Sequence, residues 1–156
     1  MKIEEELKTH NFQSNTQKAH LNILFTAEWI QARIHKILKP FGLSNEQYNV
    51  LRILKGQHPQ SLCTMEVAER MINKNSNITR IAYKLVQKGL IQKQQSTIDR
   101  REWELSITEK GLEMLQQIET NLSEAKLHQS PLLEVEAAQI NLLLDKMREE
   151  GQNTTD

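Results

Sequence analysis

The chain has 156 residues, 38% of them hydrophobic and 26% charged, with 20 Lys and Arg against 20 Asp and Glu. That length suits one compact domain, or a small domain with helical extensions; no apolar run approaches the ~18 residues of a membrane span, and the acidic start MKIEEELKTHNF is unlike a signal peptide. The single cysteine, Cys63, leaves no internal disulfide and no multi-cysteine zinc site, so a reducing, cytoplasmic location is expected.

Residues 1–16 show no sustained periodicity and read as a frayed start or a short helix. From Gln17 to Lys39, Ile23, Ala27, Ile30, Ile34 and Ile37 recur at four-and-three spacing, and Leu24 and Leu38 widen the stripe. This predicts an amphipathic helix that Pro40-Phe41-Gly42 ends. Ser44 stands three residues before Gln47, the spacing at which a cap hydroxyl accepts from a free amide while the Gln side chain returns to the cap amide. A second helix is expected from there through Tyr48, Leu51 and Leu54 to Gly56. The segment Gln57 to Cys63 contains Pro59 and reads as a loop, and Thr64 is the expected cap of a short third helix with Val67, Ala68 and Met71 inward.

After an Asn-rich turn at 73–77, Ile78, Ile81, Ala82, Leu85 and Val86 mark the inner face of a fourth helix that Gly89 terminates. The opposite face offers Asn77, Thr79, Arg80, Lys84 and Lys88. Two short helices joined by about four residues, the second with a buried aliphatic stripe and a basic outer one, meet the requirements of a helix-turn-helix. The period then changes to two. Ile91, Lys93 and Gln95 lead to a polar tip at 96–101, and Trp103, Leu105 and Ile107 return, which predicts a two-stranded antiparallel hairpin. It packs Trp103 or its neighbours inward and carries Asp99-Arg100-Arg101 outward. Thr108 caps a long helix with Leu112, Leu115, Ile118, Leu122 and Ala125 on one stripe. A last helix is expected over about Glu134 to Glu150, with Val135, Ala138, Leu142 or Leu143, and Met147 on its stripe, before a polar tail. The expected fold is mainly α with one small β-hairpin.

Charge is unevenly distributed along this neutral chain. Residues 70–101 hold eight Lys or Arg against one acid, Asp99, a local net of +7, whereas residues 102–156 come to −8. A basic middle on an acidic scaffold points to a polyanion partner, because a field is set by local charge rather than by the sum. An α-helix fits the DNA major groove, where base edges are distinguishable. Small polar Ser76, Asn77 and Thr79 at the helix start suit close approach, and Arg80 can reach a guanine edge or a phosphate. Lys84 and Lys88 lie farther along, at phosphate reach, where contacts set register and affinity rather than sequence choice. An Arg at a protruding turn can enter a narrowed minor groove, and Asp99 beside it can fix the guanidinium.

These parts, in this order, resemble the MarR (multiple antibiotic resistance regulator) family of winged helix-turn-helix proteins. The resemblance rests on LSNEQYNVLRIL, on NSNITRIAYKLVQKGLIQK and on DRREWELSITEKG at the family's distance after it, and covers roughly residues 17–150. It implies a homodimeric, sequence-specific regulator of transcription, a repressor on a pseudo-palindromic operator that a small-molecule effector releases. It further implies that residues 1–40 form an N-terminal segment and dimerisation helix, 41–110 the DNA-binding region, and 111–156 the C-terminal dimerisation helices and tail. Carried onto this chain, the reading helix spans Asn75 to Gly89 with Ser76, Asn77, Thr79, Arg80 and Lys84 as DNA contacts, and Lys74 and Lys88 fall to the DNA backbone. In the wing, Asp99 and Arg101 match the family's Asp-x-Arg, which assigns Arg101 to the minor groove and Arg100 to a backbone contact.

Two alternatives stay open. A winged-helix protein-interaction module would keep the fold without reading DNA, although the intact basic stripe argues against it. A redox sensor would act through Cys63, but residues 1–40 lack the cysteine that the peroxide-sensing branch carries in its first long helix. The five histidines are scattered, without the paired spacing of a metal site, and no nucleophile and base pair or Gly-rich phosphate loop suggests an enzyme or a cofactor.

Overall fold

The computed structural model describes residues 1–96, 101–125 and 131–149. A one-turn helix α1 (Ile3–Glu6) precedes the long α2 (Asn15–Leu38), which runs into a 3₁₀ turn at Lys39–Phe41. Then come α3 (Asn45–Lys55), β1 (Leu62–Cys63), α4 (Thr64–Arg70), α5 (Ile78–Gln87), β2 (Ile91–Gln95), β3 (Trp103–Ile107), α6 (Glu109–Glu124) and α7 (Glu134–Arg148). Among the described residues no helix is long and apolar enough to cross a membrane.

Local chemistry sets most of these boundaries. Gly42 closes the corner after α2 at φ +65, a conformation that a side chain disfavours. Ser44 and Gln47 form the expected capping box at α3, with both hydrogen bonds present at 3.2 and 3.0 Å. Thr108 caps α6 by accepting from the Gly111 amide at 3.1 Å. The cap of α4 is Cys63 rather than Thr64: its sulfur accepts from the Glu66 amide at 3.4 Å while the Glu66 carboxylate accepts from the Cys63 amide at 2.9 Å. The helix expected to read DNA starts at Ile78 instead of Asn75. Asn73 accounts for the difference, since its side chain takes the Asn75 amide in an Asx turn that competes with helix.

The sheet also departs from the two-stranded expectation. β3 pairs antiparallel with β2 on one side and with β1 on the other, in register Ile91↔Ile107 and Leu62↔Leu105, so the order is β1-β3-β2. A strand of two residues shows no period in sequence and exists because β3 offers it a partner. Leu105 and Ile107 face the core, while Trp103, at the open end of the ladder, is 42% exposed.

One core holds the described winged region together. Val50, Leu51 and Leu54 of α3, Val67 of α4, Leu85 of α5, Leu90, Leu105 and the α6 residues Leu115, Ile118 and Leu122 are all but inaccessible. Of α2, only the C-terminal turns with Ile34, Ile37 and Leu38 join it. Farther back, Leu24 is 64% exposed, and no residue of α7 is buried. These two helices extend from the winged core with apolar faces uncovered.

Candidate nucleic-acid interface

Helix α5, the one expected to read DNA, is positioned from three sides. Its inner face of Ile78, Ile81, Ala82 and Leu85 is buried against α3 and α4, whereas Val86, expected inward, lies at the edge of that stripe and is part exposed. At its N-terminus the Asn77 side chain accepts from the Arg80 amide at 3.0 Å, so Asn77 is the cap of the helix. The preceding turn is tied back to α3 by the Ile72 amide, which donates to Asn49 Oδ1 at 3.0 Å. At the far end Gly89, at φ +70, turns the chain into β2. There the Thr108 hydroxyl donates to the Gly89 carbonyl at 2.8 Å and Lys110 Nζ to the Lys88 carbonyl at 2.8 Å.

Thr79, Arg80 and Lys84 are exposed on the outer face, as expected of contacts. The other expected residues are placed less simply. Ser76 turns its hydroxyl inward, where it is buried without a hydrogen-bond partner among the described residues. Lys74 Nζ donates to the Glu69 carbonyl at the end of α4. Lys88 Nζ donates to the Gly42 carbonyl at 3.0 Å and so braces α5 against the corner between α2 and α3. Charge patterning also passes over two uncharged residues of the outer face, Tyr83 and Gln87, joined by a hydrogen bond of 2.8 Å from Gln87 Nε2 to the Tyr83 hydroxyl.

The β2–β3 ladder runs to Gln95↔Trp103, and the Ser96 amide adds a bond to the Glu102 carbonyl at 3.0 Å. Lys93 lies over the Trp103 ring at 4.3 Å to its centroid, a cation–π contact at the base of the tip. Arg101 is exposed at the tip, while Asp99 and Arg100 lie outside the described residues. Cys63 is half-buried and engaged in the α4 capping box. The backbone amide of Cys63 holds the Glu66 carboxyl below its ordinary value, with the thiol contact adding to the effect.

Between α5 and the corner that follows α2 lies a cavity of about 620 Å³, lined by His35, Lys39, Gln47, Arg80, Lys84 and Lys88 among others. Four Lys or Arg side chains and His35 face it against one carboxylate, Glu46, so its field favours an anion. It is bounded on one side by the helix that would read DNA and on the other by α2, the long helix whose N-terminal part is uncovered.

Residues 43–103 match the sequence profile of the MarR family. The crystal structure of a MarR transcription factor from Planctomyces limnophilus is 31% identical, the match covering 88% of this chain and 98% of that one at a TM-score of 0.66. The transcriptional repressor MdtR of Bacillus subtilis is 40% identical over 82 residues, 53% of this chain and 52% of the repressor. The chain thus spans about half the length of the curated relatives it matches. A mutant MarR from Escherichia coli complexed with operator DNA shares the fold at 21% identity and a TM-score of 0.71, covering 81% of this chain and 90% of that one.

Proposed function

The chain belongs to the MarR family, and from that premise we propose that it is a sequence-specific, double-stranded-DNA-binding regulator of transcription, a repressor that sits as a homodimer on a pseudo-palindromic operator. The observation that carries this reading is α5: a helix without an acidic residue, fixed by a buried face and capped at its start, with Thr79, Arg80 and Lys84 exposed beside a wing that bears Arg101. A rigid basic helix of this kind can enter the major groove while an Arg at the wing tip reaches the adjacent minor groove. Ser76, Asn77, Thr79, Arg80 and Lys84 are the proposed contacts of the helix, Asp99, Arg100 and Arg101 those of the wing, and Lys74 and Lys88 those to the DNA backbone. For Asn77, Lys74 and Lys88 that role would be shared with the cap and the backbone bonds they already form, and Ser76 would have to turn its buried hydroxyl outward.

Residues 41–110 form the proposed DNA-binding region, and 1–40 with 111–156 the proposed dimerisation segments. The uncovered apolar faces of α2 and α7 support that division. The reading is of a cytoplasmic binding protein with no catalytic activity. The anion-favouring cavity supports release by a small anionic effector, since a ligand there would touch both the reading helix and α2.

A fluorescence titration of the purified chain against random and enriched duplex DNA at two salt concentrations tests this. Selective binding of two protomers per palindromic site is expected, with affinity falling as salt rises. Binding without sequence preference that vanishes with salt would reject operator reading in favour of charge alone.

A further inference from the structure

We propose that Tyr83, held in place by Gln87, is a further DNA-contact residue of α5, and that its hydroxyl donates to an acceptor oxygen or nitrogen on the duplex. The inference rests on the operator reading above and adds to it an uncharged contact at the centre of the helix face.

Helix geometry makes the first part of the case. Successive side chains turn by about 100°, so Gln87 points within about 10° of the direction opposite the buried stripe of Ile78, Ile81, Ala82 and Leu85, and Tyr83 and Arg80 within about 30° of it. By the same geometry Thr79 and Lys84 flank that direction at about 70° on either side. A duplex that meets Thr79 and Lys84, on the two flanks, therefore meets Tyr83, Gln87 and Arg80 between them. Tyr83 is 62% exposed, a large aromatic surface turned to solvent in the middle of a basic helix face.

The second part is the hydrogen bond. Gln87 Nε2 donates to the Tyr83 hydroxyl at 2.8 Å across one helical turn. The phenol oxygen is thereby used as an acceptor, and its proton is left free to donate. Ordering two exposed side chains costs rotamer entropy that an exposed bond between neutral groups scarcely offsets. The order gains its value when a third partner takes the remaining proton, because the ring is already aimed. Acceptors of that kind on a duplex are the phosphate oxygens and, in the major groove, guanine O6 and N7, adenine N7 and thymine O4.

The experiment uses the duplex that the wild-type chain enriches from a random pool, together with a scrambled duplex and a set with each base pair changed in turn. Tyr83→Phe should weaken binding to the enriched duplex about tenfold with helical circular dichroism unchanged. Gln87→Ala should weaken it less, and should add nothing in the Tyr83→Phe background, as expected of a residue that acts through the phenol. Loss confined to one base-pair position would place the acceptor on a base edge, and equal loss on every duplex would place it on a phosphate; either supports the contact. If both variants bind all duplexes as the wild type does while Arg80→Ala does not, the contact is rejected and operator reading survives. If the wild type enriches no sequence, operator reading itself fails and this inference falls with it.

Discussion

At the scale of single residues, cationic side chains in one chain have different work. Arg80 and Lys84 project from α5 into solvent, whereas Lys74 and Lys88 have their ammonium groups on backbone carbonyls. Arg80→Ala should therefore lower operator affinity by about 1–3 kcal/mol and relax preference at one base pair if it reads a base edge. Arg101→Ala should weaken binding and flatten its salt dependence by about one unit per lost phosphate contact per subunit; unchanged affinity in a salt series would remove the wing from the interface. Glu66 belongs to a different balance, that of stability. Its carboxyl is held below the ordinary carboxylate value by the Cys63 amide, so the stabilisation is present above that ordinary value and is lost as pH falls through the folded-state pKa. On acidification the urea midpoint should fall less for Glu66→Gln than for the wild type, and an identical pH dependence would reject the assignment.

At the scale of elements, close approach matters most where α6 meets the start of β2. A Cβ on Gly111 would lie 2.3 Å from the Leu90 carbonyl oxygen and 2.7 Å from Ile107 Cγ1, so no side chain fits without moving backbone. Gly111→Ala should destabilise the fold by roughly 1–3 kcal/mol, visible as a fall of several degrees in the thermal midpoint, and a midpoint equal to wild type would show that the helix shifts freely. The elements legible in the sequence are those coded by neighbours in the chain. Ser44 with Gln47, Thr108 with Gly111, and Gly89 after the buried stripe of α5 each act within four residues, and all were readable. The cap at Cys63 was missed by one position because a thiol is a weak acceptor seldom credited with capping, and β1 was missed because its two residues depend on Leu105 and Glu104, some forty residues on. Tyr83 and Gln87 escaped because a search for charge does not register a neutral pair that only its geometry singles out.

At the scale of the whole molecule, the uncovered helices decide what the chain can do alone. Leu142 is 70% exposed and Leu143 65%, in a 15-residue helix with no buried residue. A helix of that length is marginal in water without packing, so α7 needs a partner, and a second copy is the partner that the proposed palindrome requires. Leu142→Glu combined with Leu143→Glu should yield monomers in sedimentation equilibrium and should lose most affinity for the two-half-site duplex; a variant that stays dimeric would move the interface elsewhere. The amino-acid order by itself determined the helix periods, most of the caps, the change to period two at the wing and the concentration of positive charge, because each depends on neighbours within a turn or a strand. Tertiary structure alone decided which of the basic residues face solvent and which brace the backbone, that a third strand joins β3, and that a cavity opens between α5 and the corner after α2. Those outcomes depend on contacts between segments far apart in the chain, and no local pattern encodes which segments will meet.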